Sequence, residues 1–184
     1  MPPTLETPRL RLRPLAASDE ADLVALDSDP EVMRYVGSPA GIKSPAETLE
    51  RARRRIREEQ RGDYAPLGFW RIEGRSDGAF HGVGALIRMP GGEDVEVAYR
   101  LARSAWGQGI ATEAAGALVA HALGPLGLPE VVAVTYPENR ASQRVLDKLG
   151  FERRGIREYK GVQATYHALT AAAWAARPAG GSVH

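Results

Sequence analysis

The chain is predicted to fold as α+β, around a mixed sheet that is mainly antiparallel before one central helix and takes a parallel step across it. Three observations predict this. Arg9-Leu10-Arg11-Leu12-Arg13-Pro14 alternates leucine and arginine as a half-buried strand does. From Ala111 the pattern turns helical, because Ala111, Ala114, Ala115, Leu118, Val119, Ala122 and Leu123 fall at spacings of three and four. Val131-Val132-Ala133-Val134 is a compact apolar run of the kind buried on both faces of a sheet.

The remaining elements follow in order. Pro14 ends the first strand, and Ser18-Asp19-Glu20 starts a helix that Asp29-Pro30 interrupts. A short helix over 31–36 comes next, then a Gly-, Pro- and Ser-rich loop over 37–44 that reads as mobile. Ser44-Pro45-Ala46-Glu47 marks the start of an arginine-rich helix. Its arginines, from Arg51 to Arg61, intersperse with glutamates and read as a solvated outer face; the alternative is a surface meeting an acidic partner or the outer phosphates of a cofactor. Residues 66–73 and 80–89 read as a hairpin turned through Gly74-Arg75-Ser76-Asp77-Gly78. After Pro90-Gly91-Gly92, residues 94–101 alternate again, with Val95, Val97, Tyr99 and Leu101 on one face. Gly124-Pro125 stops the central helix, Pro137 closes the strand over 131–136, and Gly150 ends a helix that Asn139 can cap. Two last strands, over 151–159 and 162–169, complete a sheet of about seven strands flanked by about four helices.

Length and composition fit one domain over residues 1–184, with residues from about 175 onward as a flexible tail. The formal charge of +1 gives no general pull toward nucleic acid or an anionic membrane. No cysteine is present, which removes a thiolate nucleophile and any cysteine-ligated metal, and the four histidines lack metal spacing, so no metal is expected. No apolar run approaches the ~20 residues of a membrane span and no signal peptide opens the chain, so a cytoplasmic location is expected.

A strand that delivers Trp106-Gly107-Gln108-Gly109-Ile110-Ala111-Thr112 into a helix has a use. The first helical turn offers backbone N–H groups with no internal partner, and the helix dipole adds positive character there. Small residues at 107, 109 and 111 let a pyrophosphate approach, and Thr112 adds a hydroxyl. Glycines also serve plain turns, so the spacing alone is weak. A P-loop lysine is absent after Gly109, and the third glycine of a dinucleotide fingerprint is missing.

Val95 to Leu101, Trp106 to Ala114, Asn139-Arg140-Ala141-Ser142 and Leu149-Gly150-Phe151, with the opening Thr7-Pro8-Arg9-Leu10-Arg11-Leu12-Arg13-Pro14, resemble the GNAT N-acetyltransferases. More narrowly, they resemble the branch that acetylates the N-termini of ribosomal proteins. The resemblance covers residues 7 to about 174 and depends on four motifs in the right order. It implies acetyl-CoA as cosubstrate, bound in a splay between the strand ending near Leu101 and the strand over 131–136, with Val97, Ala98, Tyr99, Trp106 to Thr112, Asn139 and Ser142 around it. Trp106 stands where many members have Gln or Arg, and Ala98 where glycine is frequent.

The resemblance also implies direct attack by a primary amine, in which a base, an oxyanion site and a proton donor are required. Glu96 lies on the face opposite Val95 and Val97, as a base in line with the family or as a plain solvent-facing strand glutamate. Asn139 and Ser142 share a helix face. Asn139 is an N-cap or a contact to the pantetheine arm, and Ser142 is filler or the group that meets the departing thiolate. A backbone N–H near Val97 to Tyr99 serves the oxyanion, Tyr136 is a second acid, and Tyr99 packs against cofactor or core. Tyr159 and Tyr166 read as strand packing, Trp70 and Trp174 as core aromatics. The expected activity is N-acetylation of a small amine or a protein N-terminus, with a homodimer as the default assembly. The alternatives are a CoA-binding module without turnover and transfer of another short acyl group such as succinyl.

Overall fold

In the computed structural model of the chain, which describes residues 1–36 and 44–177, a sheet begins with β1 (Leu5–Glu6) and β2 (Leu10–Pro14). Leu10 and Leu12 are buried while Arg11 is exposed, as the alternation requires. Arg13 sits partly under α1 (Glu20–Ser28), where its guanidinium grips Asp19 with two bonds of 2.9 and 2.7 Å. Asp29 caps α2 (Pro30–Met33), accepting from the Glu31 N–H at 2.9 Å, and Pro30 takes the position where a missing N–H costs nothing. Of the loop expected over 37–44, residues 37–43 lie outside the described residues.

α3 (Pro45–Arg61) starts on a reciprocal capping box between Ser44 and Glu47 and ends at Gly62, whose φ of 76° needs glycine. The hairpin of β3 (Gly68–Gly74) and β4 (Phe80–Arg88) leads to β5 (Val95–Leu101). α4 (Ile110–Leu123) follows, then β6 (Glu130–Thr135), α5 (Arg140–Leu149), β7 (Glu152–Tyr159), β8 (Val162–Thr170) and α6 (Ala171–Ala175).

The strand order is β1-β2-β3-β4-β5-β6-β8-β7, antiparallel throughout except between β5 and β6. The predicted fold class is thus the one found, with one strand more than the pattern indicated: β1 is too short to show alternation. Six α-helices flank the sheet among the described residues. Trp70 is fully buried, but Trp174 is only partly so, and Arg177 stacks on it at 4.4 Å. α6 ends at Ala175, and Arg177 also donates to the Lys148 carbonyl at 3.1 Å. Residues 178–184 lie outside the described part. No described helix is long and apolar enough to cross a membrane.

α4 packs on one face of the sheet through Ala114, Ala115, Leu118, Val119 and Ala122, all fully buried with Val97, Leu146 and Leu149. Its small residues let the helix approach the strands closely. Each large aliphatic side chain contributes about 1.5–3 kcal/mol by burial. α1 and α3 cover the opposite face, where Leu23, Leu26, Ala52 and Ile56 meet Phe69, Val83 and Ala85. The sheet thus separates two chambers.

Candidate active site

The functional geometry begins where β5 and β6 part. These parallel neighbours share one register pair, Glu96 opposite Val132. Each keeps a long ladder on its other side, β5 with β4 from Val95↔Arg88 to Leu101↔Gly82, and β6 with β8 from Glu130↔Thr170 to Thr135↔Thr165. Beyond Glu96, residues 97–101 therefore edge an opening with no strand opposite among the described residues. An extended ligand can complete such an edge by hydrogen bonding to its free backbone groups.

Alternation along β5 sends side chains to both chambers. Val95, Val97 and Leu101 join the α4 and α5 side, with Tyr99 packed against them, whereas Ala98 packs on the α1 and α3 side. Glu96 points the same way as Ala98. It is 6% exposed, so the plain alternative of a solvent-facing strand residue does not describe it. Its Oε2 accepts a hydrogen bond of 2.9 Å from the Tyr159 hydroxyl. Burial pushes the Glu96 carboxyl above its ordinary range, against the Tyr159 bond and the Lys160 charge, which pull it down. A carboxylate so raised is a better proton acceptor near neutral pH.

Tyr159 reaches Glu96 because β7 and β8 turn tightly at Lys160 and Gly161, with φ of 51° and 80°. Burial, and next the Glu96 charge, push its phenol up, so it stays a proton donor in that bond.

On the other face, the Tyr99 hydroxyl and Ser142 Oγ lie 2.9 Å apart. Burial pushes the Tyr99 phenol up to about 12. Ser142 occupies the first turn of α5, held there by its neighbour: Asn139 Oδ1 accepts from the Ser142 N–H at 3.1 Å and caps the helix. Gln143 secures the preceding turn by donating to the Tyr136 and Pro137 carbonyls at 3.2 and 2.9 Å. The Tyr136 ring meets that of Tyr35 at 5.9 Å, on the path from β6 to α2. Burial, then Glu138, push the Tyr136 phenol up. Structure thus joins Tyr99 to Ser142 and Asn139, and puts Glu96 in the other chamber.

At the end of β5 the chain passes a short turn and enters α4. Trp106, half-exposed, donates its indole N–H to the Leu101 carbonyl at 2.9 Å and so braces the turn. Gly107 and Gly109 have φ of 74° and 75°, and no side chain caps α4. A Cβ on Gly107 would meet nothing within 4 Å among the described residues, so the space beside it is open. Ile110 and Thr112 are buried, leaving Gly107 to Gly109 and Ala111 as the accessible stretch. An uncapped helix start, left-handed glycines and open space suit a pyrophosphate held by backbone N–H groups.

The residues that hold this loop were not visible as site residues. Thr7 Oγ1 donates to Glu113 Oε1 at 2.6 Å, the Arg9 backbone N–H donates to the same oxygen at 2.9 Å, and Arg9 Nε donates to Oε2 at 2.6 Å. Arg9 Nη1 then reaches the Gln108 carbonyl at 2.8 Å. Thr7, Arg9 and Glu113 all stand inside family-like stretches, but only folding shows that they clamp the start of α4 to β2.

A splayed β5–β6 pair, a glycine turn into an uncapped helix and a buried carboxylate at the splay make up the candidate site. Residues 9–152 match the Acetyltransferase (GNAT) domain family, and the chain belongs to that family of acetyltransferases. It is 32% identical over 165 residues, 85% of this chain and 88% of the relative, to the uncharacterized N-acetyltransferase YoaA of Bacillus subtilis. It is 33% identical over 156 residues, 80% of this chain and 64% of the relative, to the FsC-acetyl coenzyme A-N(2)-transacetylase of Aspergillus fumigatus. Among solved structures, RimL, a ribosomal L7/L12 alpha-N-protein acetyltransferase in complex with coenzyme A, superposes with a TM-score of 0.74 at 22% identity, covering 93% of this chain and 99% of that one. That likeness shows the shared fold.

Proposed function

We propose that the protein transfers an acetyl group from acetyl-CoA to a primary amine, protein N-termini included, by direct attack while both substrates are bound, the whole chain acting as one catalytic unit. One observation carries this: a buried glutamate at the last β5–β6 pair on one face of the sheet, and a bonded Tyr99–Ser142 pair on the other. The thioester, supplied by acetyl-CoA, lies in the gap between them.

Glu96 takes the proton from the amine, directly or through a water, on the α1 and α3 side. A backbone N–H within residues 97–99 stabilises the oxyanion, on the edge of β5 that pairs with no described strand beyond Glu96. On the far side Ser142 meets the departing thiolate, oriented by Tyr99 and by its place in the first turn of α5. Asn139, whose Oδ1 is engaged in the cap, offers its amide N–H₂ to the pantetheine arm. Tyr136, beside Tyr35, is a second acid at the acceptor entrance. Gly107 to Ala111 hold the pyrophosphate, with Trp106 bracing the turn.

Thiol release from acetyl-CoA with a panel of primary amines and N-terminal peptides, paired with mass spectrometry of the product, tests this. A product heavier by one acetyl group is expected. Coenzyme A binding without turnover of any amine favours a module without activity.

The clamp on the phosphate loop makes a separate prediction. Arg9 is half-exposed, so its ion pair is discounted to about 1 kcal/mol, or roughly a fivefold change. Arg9→Ala is expected to raise the KM for acetyl-CoA about fivefold while changing kcat much less. Steady-state kinetics at varied acetyl-CoA check this.

A further inference from the structure

The arginine-rich run of α3 does not face solvent along its whole length. Arg53, Arg54, Arg57 and Arg61 make surface pairs, but Arg51 and Arg55 turn inward, their side chains 17% and 15% exposed. They converge with Arg100 of β5 on one carboxylate, Asp27 at the end of α1, which is completely buried. Arg100 Nε donates to Asp27 Oδ1 at 2.6 Å, and Arg51 Nη2 donates to Oδ2 at 2.6 Å. Arg55 Nη1 comes within 3.6 Å of Oδ2 without forming a hydrogen bond, while its guanidinium lies 4.7 Å above the Phe69 ring.

Three cations surround one anion. Buried charge is costly unless it is neutralised and hydrogen-bonded, and a buried unpartnered donor in a native protein calls for a physical explanation. Two such donors in the cluster, Arg55 Nη1 and Arg51 Nε, have no hydrogen-bond partner among the described residues. The strain shows in the titration: burial and the neighbouring positive charge of Arg100 hold the Arg55 guanidinium down to about 9.

The cluster belongs to the chamber of Glu96. Glu96, Ala98 and Arg100 share one face of β5, and Arg100 stands four residues beyond Glu96, roughly 14 Å by strand rise. Arg100 thus flanks the same open strand edge at which acyl transfer is assigned above.

We propose that Arg51, Arg55 and Arg100 form a carboxylate-binding subsite in the acceptor chamber, selecting a substrate that carries a carboxylate, on the acceptor amine or on the acyl group. A planar carboxylate matches both the guanidinium forks and the surplus of charge. The proposal rests on the acyl-transfer function for its biological meaning, and its test separates the two.

Binding is read first, without turnover, by thermal unfolding of the full chain with sodium succinate against sodium chloride at equal ionic strength. Succinate is expected to raise the melting temperature of the wild type saturably and that of Arg55→Met not at all. Arg55→Met leaves Asp27 bonded to Arg51 and Arg100, and Arg55→Lys, which keeps a charge, is expected to retain part of the shift. Turnover then locates the source. One arm compares amine acceptors that differ only by carboxylate against carboxamide, with acetyl-CoA; the other compares succinyl-CoA with acetyl-CoA on one neutral amine. In one arm the wild type should favour the carboxylate about tenfold in kcat/KM, and the ratio should fall toward one in Arg55→Met. Equal succinate stabilisation of wild type and Arg55→Met, or wild-type turnover with no carboxylate preference in either arm, overturns the subsite. A succinate shift with no turnover of any amine instead overturns the acyl-transfer function and leaves the subsite standing.

Discussion

Glu96→Gln is expected to lower kcat at least a hundredfold, the lower end of what a positioned base contributes and about 3 kcal/mol of barrier. The substitution is nearly isosteric, and its side-chain oxygen can still accept the Tyr159 hydroxyl that Glu96 Oε2 accepts at 2.9 Å. Loss of activity without loss of fold is therefore the expected pair of results. The stability half has a definite sign. Burial raises the folded-state ionisation range of Glu96 above its unfolded one. Its contribution is then fully present in acid, where the group is protonated in both states, and is lost as pH rises through the raised range. Glutamine carries no such loss. The melting temperature of Glu96→Gln should thus match or exceed that of the wild type at pH 8, with the difference shrinking toward pH 4. A variant that keeps more than a tenth of wild-type kcat removes Glu96 from the chemistry.

Asp27→Asn is expected to be the most destabilising single polar substitution in the α1–α3 side. The carboxylate is completely buried and accepts from Arg51 and Arg100, with Arg55 beside it. Removing it leaves three arginines packed together without an anion, and breaking a buried ion pair in this way costs about 3–5 kcal/mol. For a chain of this size that is a fall of about 6–20 °C in melting temperature. The pH dependence follows from the same contacts. Burial alone would push the Asp27 carboxyl up, but Arg100, Arg55 and Arg51 hold it below its ordinary range. Its stabilisation is present above the unfolded carboxylate range and is lost as pH falls through the lowered folded one. The gap between wild type and Asp27→Asn should close in acid. Urea unfolding at pH 7 and pH 3 measures both points.

Residues whose role depends on local periodicity were legible in the sequence. Leu10 and Leu12 had to face inward once Arg9, Arg11 and Arg13 alternated with them, and the turn from Trp106 into α4 was marked by its glycines. Alternation along β5 likewise separated Glu96 from Val95 and Val97. What stayed hidden are contacts between distant parts of the chain. Tyr159 read as strand packing because nothing near it in sequence shows that the Lys160-Gly161 turn brings its hydroxyl to Glu96. Tyr99 and Ser142 belong to different elements, and their bond exists only once α5 lies beneath the end of β5. The arginine run shows the same limit: charge and spacing mark a helix, but only Asp27 and Arg100, contributed by α1 and β5, decide that Arg51 and Arg55 turn inward.

In the proposed reaction Glu96 accepts the proton and Tyr159 tunes it. The pH dependence of kcat/KM in wild type and Tyr159→Phe, measured with one acceptor amine, tests this most directly. The Tyr159 hydroxyl lowers the Glu96 ionisation range by bonding to the carboxylate. Deleting that hydroxyl lets burial raise the range further. The acidic limb of the profile is predicted to move to higher pH in Tyr159→Phe; a limb that stays in place, or moves to lower pH, means that Glu96 is not the base whose ionisation Tyr159 sets.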